Sequence, residues 1–572
     1  MVGANDPTEP RTGPQRAWPW LYALLLLAFA VVVVFSSNLD WDAFYAFFEV
    51  DRRAWLQDHR PPVWSYQLCA GASRSGDPQA FGLSPLFLPV AILGAFWGAK
   101  AVVVLCTTFG WLALRRTLCL LFPALGRDLA AALALFFLLG NFFLWHAHAG
   151  HVAFSLIPLS FVLVERVVRL AVARFGWRDA AWVAGAGAAI LSAGFYPAVV
   201  FFLIPATLCL AVPALALGLV RWPGSLALGR FVAGVTVATV LSAHKWLAVL
   251  LYQQQFPRTL DQGRHVSEGA IGFAQTLAYQ LSPTWQYDFW IAPTDWGPWD
   301  VWEYSACSAI SFLAVALLVR RPRTRLAFHR KTLLFFGVAL ALCVSFAAHD
   351  QGALSLHHLL NRLVYADSVR VIGRYGVVLQ LLLLLFVAFR LAADADLRLW
   401  ARSWLLPAGL VITAINLAMM GANADVQATL AAAAQATTSP PGMRVERIVP
   451  LRSVHSPRLA PYRAPTSHMY PAIAAGEIVP NCYQPLRRPR LVSTERTLFG
   501  TDAPIGAKLD LVDTSAGPVS EACQRTVTVT QNEIQFDRAL CPSDLCLNLN
   551  ALNPEDPAFA FDSRRRRICL KR

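Results

Sequence analysis

Long apolar runs recur along the sequence at short intervals, and they constrain the fold more than any other feature. Of the 572 residues, 56% are hydrophobic and only 15% are charged, whereas about a quarter of the residues of an ordinary soluble domain are charged. A helix needs about 20 predominantly apolar residues to cross the ~30 Å hydrocarbon core of a bilayer. The sequence therefore predicts a polytopic α-helical membrane protein.

Hydropathy predicts about eleven membrane-spanning helices. They cover approximately residues 18–36, 97–118, 127–145, 151–172, 179–195, 197–219, 228–250, 303–320, 331–348, 371–390 and 403–421. Residues 83–95 contain two prolines, which favours a short interfacial or half-inserted helix over a full span. The first apolar run is longer than that of a signal peptide and no clean cleavage site follows it, so we interpret it as an uncleaved anchor.

The positions of the basic residues predict the orientation in the membrane. With eleven spans, basic clusters occur at the C-terminal ends of the even-numbered spans, for example Arg115/Arg116, Arg166/Arg169 and Arg320/Arg321. Cytoplasmic loops are enriched in Lys and Arg, which predicts a cytoplasmic N-terminus and an extracytoplasmic C-terminus in the inner or plasma membrane. The net charge is +14, but many of the basic residues sit in these short clusters and they are not interleaved with base-stacking surfaces. We therefore expect the lipid bilayer, and no nucleic acid, as a partner.

These spans divide the chain into four parts: a cytoplasmic tail (1–17), a membrane domain (18–421), a linker (422–442) and an extracytoplasmic β-rich domain (443–572). The β-rich domain is predicted from period-2 alternation in runs such as Thr526–Thr530 and Leu545–Leu549. The outer loops of the membrane domain (37–82, 251–302 and 349–370) are long, and long loops in compact proteins usually carry function.

Five cysteines fall within residues 443–572, and an oxidising compartment would allow disulfides among them. Cys541 and Cys546 are close enough in sequence to form a local pair. An odd number leaves one thiol free or paired with a loop cysteine such as Cys69.

Asp40 and Asp42 follow the first span directly, next to aromatic residues. A carboxylate there can act as a general base, or it can bind a divalent cation such as Mg²⁺ or Mn²⁺ together with His148. The alternative is that both are interfacial anions that help to set the orientation. Further along the same loop, Arg74 and Asp77 lie in a Gly- and Pro-containing turn that presents them at the rim of the second span or is an ordinary turn.

Four other polar residues on the predicted outer face are candidates for substrate binding. His151 opens the fourth span, after His146 and His148, and suits a hydrogen bond to a sugar or phosphate better than a metal site. Tyr196 lies at the turn between spans five and six. Lys245 lies deep in span seven, where a lysine is usually functional or paired, although snorkelling is the alternative. Glu303 follows a Trp-rich run that suits a sugar or an interfacial aromatic belt.

Arg370 and Arg374 precede the tenth span on the outer face, against the positive-inside pattern. Residues four apart share one face of a helix, and two guanidinium groups there suit a phosphate. We expect an anionic ligand at this position.

Together, these motifs resemble the glycosyltransferase C (GT-C) superfamily of polytopic, polyprenyl-phosphate-sugar-dependent enzymes of the cell envelope. The residues that carry the resemblance are Asp40/Asp42, Ser84–Pro89, Gly150-His151, Arg370-x-x-x-Arg374 and an Asn-rich sequence near Asn548. It extends over the whole layout, including the C-terminal β domain of the bacterial multi-span members. The first-loop motif here is Asp-Trp-Asp, where an Asp-Glu or Asp-Asp pair would be expected.

The resemblance implies a sugar donor linked to polyprenyl phosphate and a glycan, lipid or protein acceptor. An outer-loop Asp would be the base or the metal anchor, and Arg370, Arg374 and Lys245 would hold the lipid phosphate. A divalent cation stays an open alternative, because metal dependence varies within the superfamily. Two other readings also stay open: a transporter or flippase of a lipid-linked or anionic glycan, which usually shows internal repeats, and a non-catalytic membrane scaffold.

Overall fold

The computed structural model describes most of the membrane domain and seven short strands after it. The described residues are 18–36, 39–65, 72–172, 175–194, 196–220, 222–255, 308–320, 330–347, 356, 372–422, 511–513, 517–518, 528–529, 534–535, 545–547, 559–562 and 567–570. For Asp40 and Asp42 the backbone is described and the side chains lie outside the described part. Arg370, Glu303, the linker and most of the loops 251–302 and 349–370 also lie outside it.

The first seven helices follow in the order α1 (Trp18–Phe35), α2 (Leu39–Leu56), α3 (Leu88–Leu121), α4 (Gly126–Leu138), α5 (Asn141–Ala149), α6 (Leu156–Ala171) and α7 (Trp177–Ser192). The 3₁₀ turns Pro85–Phe87, Pro123–Leu125 and Val152–Ser155 precede α3, α4 and α6. The other described helices are α8 (Pro197–Ala216), α9 (Ser225–Leu241), α10 (Ala243–Gln255), α11 (Ala309–Val319), α12 (Arg330–Ala347), α13 (Gly376–Ala393, after the 3₁₀ turn Ile372–Tyr375) and α14 (Ala395–Gly421).

The protein is a helical membrane protein, although the number of spans shown is smaller than predicted. Within the described residues, four helices are long and apolar enough to cross a bilayer, and counting each of two bent pairs as one span gives up to six. α1 and α11 are shorter apolar helices. Every predicted span range contains a described helix, and the count of eleven stays a prediction.

Two of the predicted spans are each divided into two helices by a sharp bend. α4 and α5 meet at 48° around Gly140, and α9 and α10 meet at 61° around Ser242. The Ser242 hydroxyl donates to the carbonyl of Ala238, 2.7 Å away, and such a bond to the preceding turn bends helices. Hydropathy alone does not reveal these bends, because both halves of each pair are apolar.

The first outer loop differs from the expectation, since residues 39–56 form a complete helix. Phe44, Phe47 and Phe48 recur at helical spacing and are buried against the rest of the bundle, which is the pattern of an amphipathic helix. The short antiparallel pair β1 (Trp64–Ser65) and β2 (Ala72–Ser73) follows α2. Residues 85–95 are helical, but they do not form a separate short helix, because residues 88–95 already belong to α3, which continues across a break at Gly94.

The core is centred on α4, whose residues from Leu129 to Leu138 are all buried. A helix that is apolar all round belongs inside a bundle and not at its lipid-facing surface. α3 packs against α2, α4 and α6, α7 packs against α6 and α9, and α13 packs against α11 and α12. α1 and α14 close the bundle by packing on each other.

One end of α6 and the start of α7 carry a buried ionic network. Arg166 lies between Glu165 and Asp179, with nitrogen–oxygen distances of 3.4 and 2.6 Å. Arg169 adds a second pair with Glu165 at 2.9 Å. Arg116 reaches the same Glu165 at 3.9 Å from the end of α3. This is the end that the positive-inside rule assigns to the cytoplasm.

Seven short strands occur after residue 510. β3 (Leu511–Asp513), β4 (Gly517–Pro518), β7 (Leu545–Leu547), β8 (Phe559–Asp562) and β9 (Arg567–Leu570) form an antiparallel sheet in the order β4-β3-β7-β9-β8, and β5 (Thr528–Val529) pairs with β6 (Ile534–Gln535). Cys546 lies opposite Cys569 in the β7–β9 register, whereas Cys541 lies outside the described residues. A separate domain over 443–572 stays a prediction.

Labelling of two exposed positions tests the predicted orientation. Gln57 follows α2 and Arg178 lies in the first turn of α7, and both are exposed. We expect Gln57→Cys to react with a membrane-impermeant maleimide in intact cells, and Arg178→Cys to react only after permeabilisation. The unmodified chain is the control for labelling of the native cysteines. The reverse pattern would contradict a cytoplasmic N-terminus.

Candidate functional site

The first turn of α2, which carries Asp40 and Asp42, packs against the end of α5. The indole nitrogen of Trp41 donates to the carbonyl of Ala147 at 3.1 Å. Gly150 has φ +87°, and a Cβ at this position would lie 2.3 Å from the backbone nitrogen of Trp41. Only glycine combines this conformation with so close an approach. The two carboxylate-bearing residues therefore flank a residue that is fixed against the His146–His151 segment.

His148 contacts Ser36, which lies in the short connection between α1 and α2 (the α1–α2 junction). The Ser36 hydroxyl donates to the carbonyl of Val32 at 2.7 Å, so its single proton is used. The contact of 3.1 Å between Ser36 Oγ and His148 Nδ1 is then a hydrogen bond donated by the imidazole. His148 is predicted above as a metal ligand, and in the structure its Nδ1 is used to hold the end of α1.

Lys100, in α3, lies below this junction and is only 1% exposed. Its ammonium donates to the carbonyls of Val33 and Ser36, both at 2.7 Å. The same nitrogen lies 4.4 Å from the ring centre of Trp41. These contacts join the end of α1, the α1–α2 connection and the first turn of α2.

His146 and His151 form a hydrogen-bonded pair beside the junction. Their Nδ1 atoms are 2.7 Å apart, so one imidazole donates and the other accepts. The ring of His146 stacks on that of Phe154, with the centroids 3.8 Å apart. Its Nε2 is buried and has no hydrogen-bond partner among the described residues. The third span was predicted to end at residue 145, whereas His146 and His148 belong to α5 and only His151 follows this helix.

Arg374 reaches the histidine pair from the 3₁₀ turn before α13. Its guanidinium carbon lies 4.8 Å from the ring centre of Phe154 and 5.8 Å from that of Phe201. A guanidinium on an aromatic face gains cation–π stabilisation without losing its hydrogen-bonding edge. Tyr196 packs edge-on against Phe201 at 5.5 Å. The predicted residues His151, Tyr196 and Arg374 therefore share one aromatic cluster.

Arg74 and Asp77 lie in a second, fully buried cluster. Arg74 makes a two-pronged ion pair with Asp51 of α2, at 2.8 and 3.0 Å, and it contacts Asp77 at 2.7 Å. Burial acts to lower the pKa of Arg74, but the carboxylates of Asp51 and Asp77 outweigh it and raise this pKa above its ordinary value. Burial likewise raises the pKa of Asp51, against the pull of Arg74.

Lys245 completes this second cluster through the backbone. Its ammonium donates to the carbonyls of Arg74 and Asp77, and it is 1% exposed. Gly194, with φ +89°, allows the carbonyl of Pro78 to approach where a Cβ would lie, at 2.2 Å. Arg74, Asp77 and Lys245 thus hold the first outer segment on the bundle, and their predicted contact with substrate stays a prediction.

Four important residues were missed by the sequence reasoning. Lys100 interrupts an apolar run and could have been noticed as a charge within a span. Asp51 lies in the same predicted outer loop as Asp40 and Asp42, and His146 precedes the selected His148 by two residues. Phe154 gives no sequence signal, because an apolar residue in an apolar run looks the same whether it fills a core or supports a guanidinium.

A metal site does not emerge from the described side chains. Among them, no group of three or more His, Cys, Asp or Glu residues is arranged to hold a metal ion. The side chains of Asp40 and Asp42 lie outside the described part, so a cation at these residues stays a prediction and no chemical step below uses one.

Comparison with known proteins returns one distant structural likeness. No family model matches the sequence, and no curated protein matches it. The chain is similar to the crystal structure of ArnT from Cupriavidus metallidurans bound to undecaprenyl phosphate, with 15% identity and a TM-score of 0.44. The match covers 82% of this chain and 86% of that one.

Removing Arg74 should destabilise the protein strongly. Arg74→Met leaves Asp51 and Asp77 buried without their cation, which typically costs about 3–5 kcal/mol of unfolding free energy. Arg52 pairs with Glu49 on the same helix but is 32% exposed, so Arg52→Met should cost less than about 1 kcal/mol. Thermal unfolding of both variants in the same detergent measures the difference. Equal stability would contradict the structural role of the Arg74 cluster.

Proposed function

We propose that this protein is a membrane glycosyltransferase that moves a sugar from a polyprenyl-phosphate donor to an extracytoplasmic glycan, lipid or protein acceptor. The observation that carries the proposal is convergence at one end of the bundle. The turn bearing Asp40 and Asp42 touches Gly150, and Arg374 lies over Phe154, four residues further on. Three distant parts of the sequence thus bring the backbone of Asp40 and Asp42, the imidazoles of His146 and His151 and the guanidinium of Arg374 to one end of the bundle.

The chemistry needs few groups, and this end of the bundle supplies them. The carboxylate of Asp40 or Asp42 takes the proton from an acceptor hydroxyl. The resulting oxygen forms a bond to the anomeric carbon of the donor sugar while the bond from that carbon to the phosphate oxygen breaks. The bonding electrons leave with the lipid phosphate. This is one inverting displacement, and it needs no nucleotide and no covalent intermediate on the protein.

Arg374 is the residue that we assign to the leaving phosphate. A guanidinium stabilises phosphate oxygens through paired hydrogen bonds, and the stacked rings of Phe154 and Phe201 exclude water from one side of it. Charge interactions are stronger in such a dry environment than in solution. His151 neighbours Arg374 and is assigned to hydrogen bonding with the donor. Arg370, outside the described residues, would act with Arg374.

The polyprenyl chain of the donor requires the reaction to take place at a bilayer. The apolar helices of the bundle supply that setting, and the proposed site lies at the end opposite the Arg166–Asp179 network. We therefore place the site at the extracytoplasmic face of the inner or plasma membrane, where lipid-linked sugars, but not nucleotide sugars, are available.

Transfer assays with point variants test this function. Membranes containing the protein would receive polyprenyl phosphates that carry radiolabelled glucose, mannose, galactose or arabinose, and label in lipid, glycan and protein fractions would be counted. We expect loss of the base, by Asp40→Asn or Asp42→Asn, to lower the rate by about 10²–10⁴-fold. Arg374→Gln should lower it by about 10²–10³-fold.

A matched control separates charge loss from chemistry. Asp58 follows α2 in the same outer segment, and Asp58→Asn makes the same change in charge away from the first turn, so its rate should stay near that of the wild type. Full activity in both Asp40→Asn and Asp42→Asn would remove these residues from the reaction. A wild-type protein that transfers no sugar from the panel, but moves the lipid-linked sugar between leaflets of a vesicle, would be a transporter instead.

A further inference from the structure

We propose that Lys100 is a positioning residue that fixes the first turn of α2, and with it Asp40 and Asp42, against the cluster formed by His146, His151 and Arg374. The catalytic consequence of this inference rests on the proposed function. The structural part, an anchor at the α1–α2 junction, stands on the contacts alone.

Burying the charge of Lys100 costs free energy, so other interactions have to compensate for it. Lys100 lies within the apolar helix α3 and is 1% exposed. A lysine inside a membrane-embedded bundle is rare and is usually paired or functional. A charge buried here persists only where the surroundings replace the water that it has lost.

The end of α1 replaces part of that water. The last carbonyls of a helix have no partner within the helix and carry the negative end of its dipole. Lys100 donates to the carbonyl of Val33, in the last turn of α1, and to that of Ser36, directly after the helix, at 2.7 Å each. The ammonium therefore acts as a cap for α1 that is supplied by another helix.

Aromatic rings surround the other side of the Lys100 ammonium, and two of these rings belong to α2. The ammonium nitrogen lies 4.4 Å from the ring centre of Trp41, 5.8 Å from that of Tyr45 and 5.1 Å from that of Phe96. Trp41 and Tyr45 stack on each other at 5.5 Å. Cation–π attraction is strongest for tryptophan and increases as the cation loses water. Lys100 thus holds α1 and α2 at the same atom.

The connection between α1 and α2 is short, so contacts at its two ends also fix the backbone of the first turn of α2. Only residues 36–38 separate α1 from α2. Lys100 holds Ser36 at one end and the ring of Trp41 at the other, and Asp40 and Asp42 are the sequence neighbours of Trp41. A misplacement of about 1 Å in a reacting group can cost about a hundredfold in rate. Without Lys100, the backbone that carries Asp40 and Asp42 would lose its fixed position against the segment that ends at Gly150.

A competing role for Lys100 is direct binding of the donor phosphate, and kinetics separate the two. A positioning residue affects the chemical step, so Lys100→Met should lower kcat by about a hundredfold and leave the KM for the donor within about twofold. The probe is the polyprenyl-phosphate sugar of the panel above that the wild type uses. A rise in KM at unchanged kcat would overturn the proposal and make Lys100 a ligand residue.

Hydrogen exchange tests the anchor independently of activity. In Lys100→Met, amides of residues 33–45 should exchange about tenfold faster than in the wild type, because two charge-assisted hydrogen bonds are lost. Amides of residues 51–82, held by Arg74 and Lys245, should be unchanged. Lys100→Gln, which keeps a donor but not the charge, should lie between the two. Unchanged exchange at residues 33–45 in Lys100→Met would overturn the anchor.

A control on the same helix guards against a general loss of stability. Thr117 is buried in α3 and its hydroxyl donates to the carbonyl of Ala113, far along the helix from the junction. Thr117→Val should change neither kcat nor exchange at residues 33–45, and a change in both equal to that of Lys100→Met would overturn a specific role of Lys100. If the wild type transfers no sugar from the panel, the proposed function fails, while the exchange result still supports or overturns the anchor.

Discussion

A charged group that is buried in the bundle needs its partners inside the protein, because neither the packed interior nor the hydrocarbon around it offers water. This constraint explains why the buried charges occur in clusters. Lys100 is balanced by two carbonyls at the end of α1 and by aromatic faces, Arg74 by Asp51 and Asp77, and Arg166 by Glu165 and Asp179. At the proposed site, each such cluster joins segments that are far apart in the sequence.

The proposed active site depends on two of these clusters for its shape. Arg74, Asp51 and Lys245 hold the later part of the first outer segment, and Lys100 holds its beginning. α2 is therefore anchored near both ends. At the first of these anchors, the backbone that carries Asp40 and Asp42 contacts Gly150, which lies next to the histidine pair in the sequence.

The sequence predicted the elements of this arrangement better than their connections. Hydropathy indicates where apolar helices form, and each predicted span range contains one; the bends at Gly140 and Ser242 depend on local hydrogen bonds that leave no trace in hydropathy. Grouping His151, Tyr196 and Arg374 on one face was possible because the spans alternate in direction. The sequence does not predict whether a buried cation binds substrate or stabilises the fold. Lys100 and Lys245 are both lysines within apolar runs, and only their hydrogen-bond partners show which segments they hold.

In the proposed function, a lipid phosphate binds beside Arg374 and the histidine pair. Photo-crosslinking with a short polyprenyl phosphate that carries benzophenone near its phosphate tests this claim most directly, with peptides mapped by mass spectrometry. If the phosphate binds there, we expect adducts within residues 146–154 and 372–376, and their loss in Arg374→Gln. Adducts confined to the opposite end, around Arg116, Arg166 and Asp179, would contradict it.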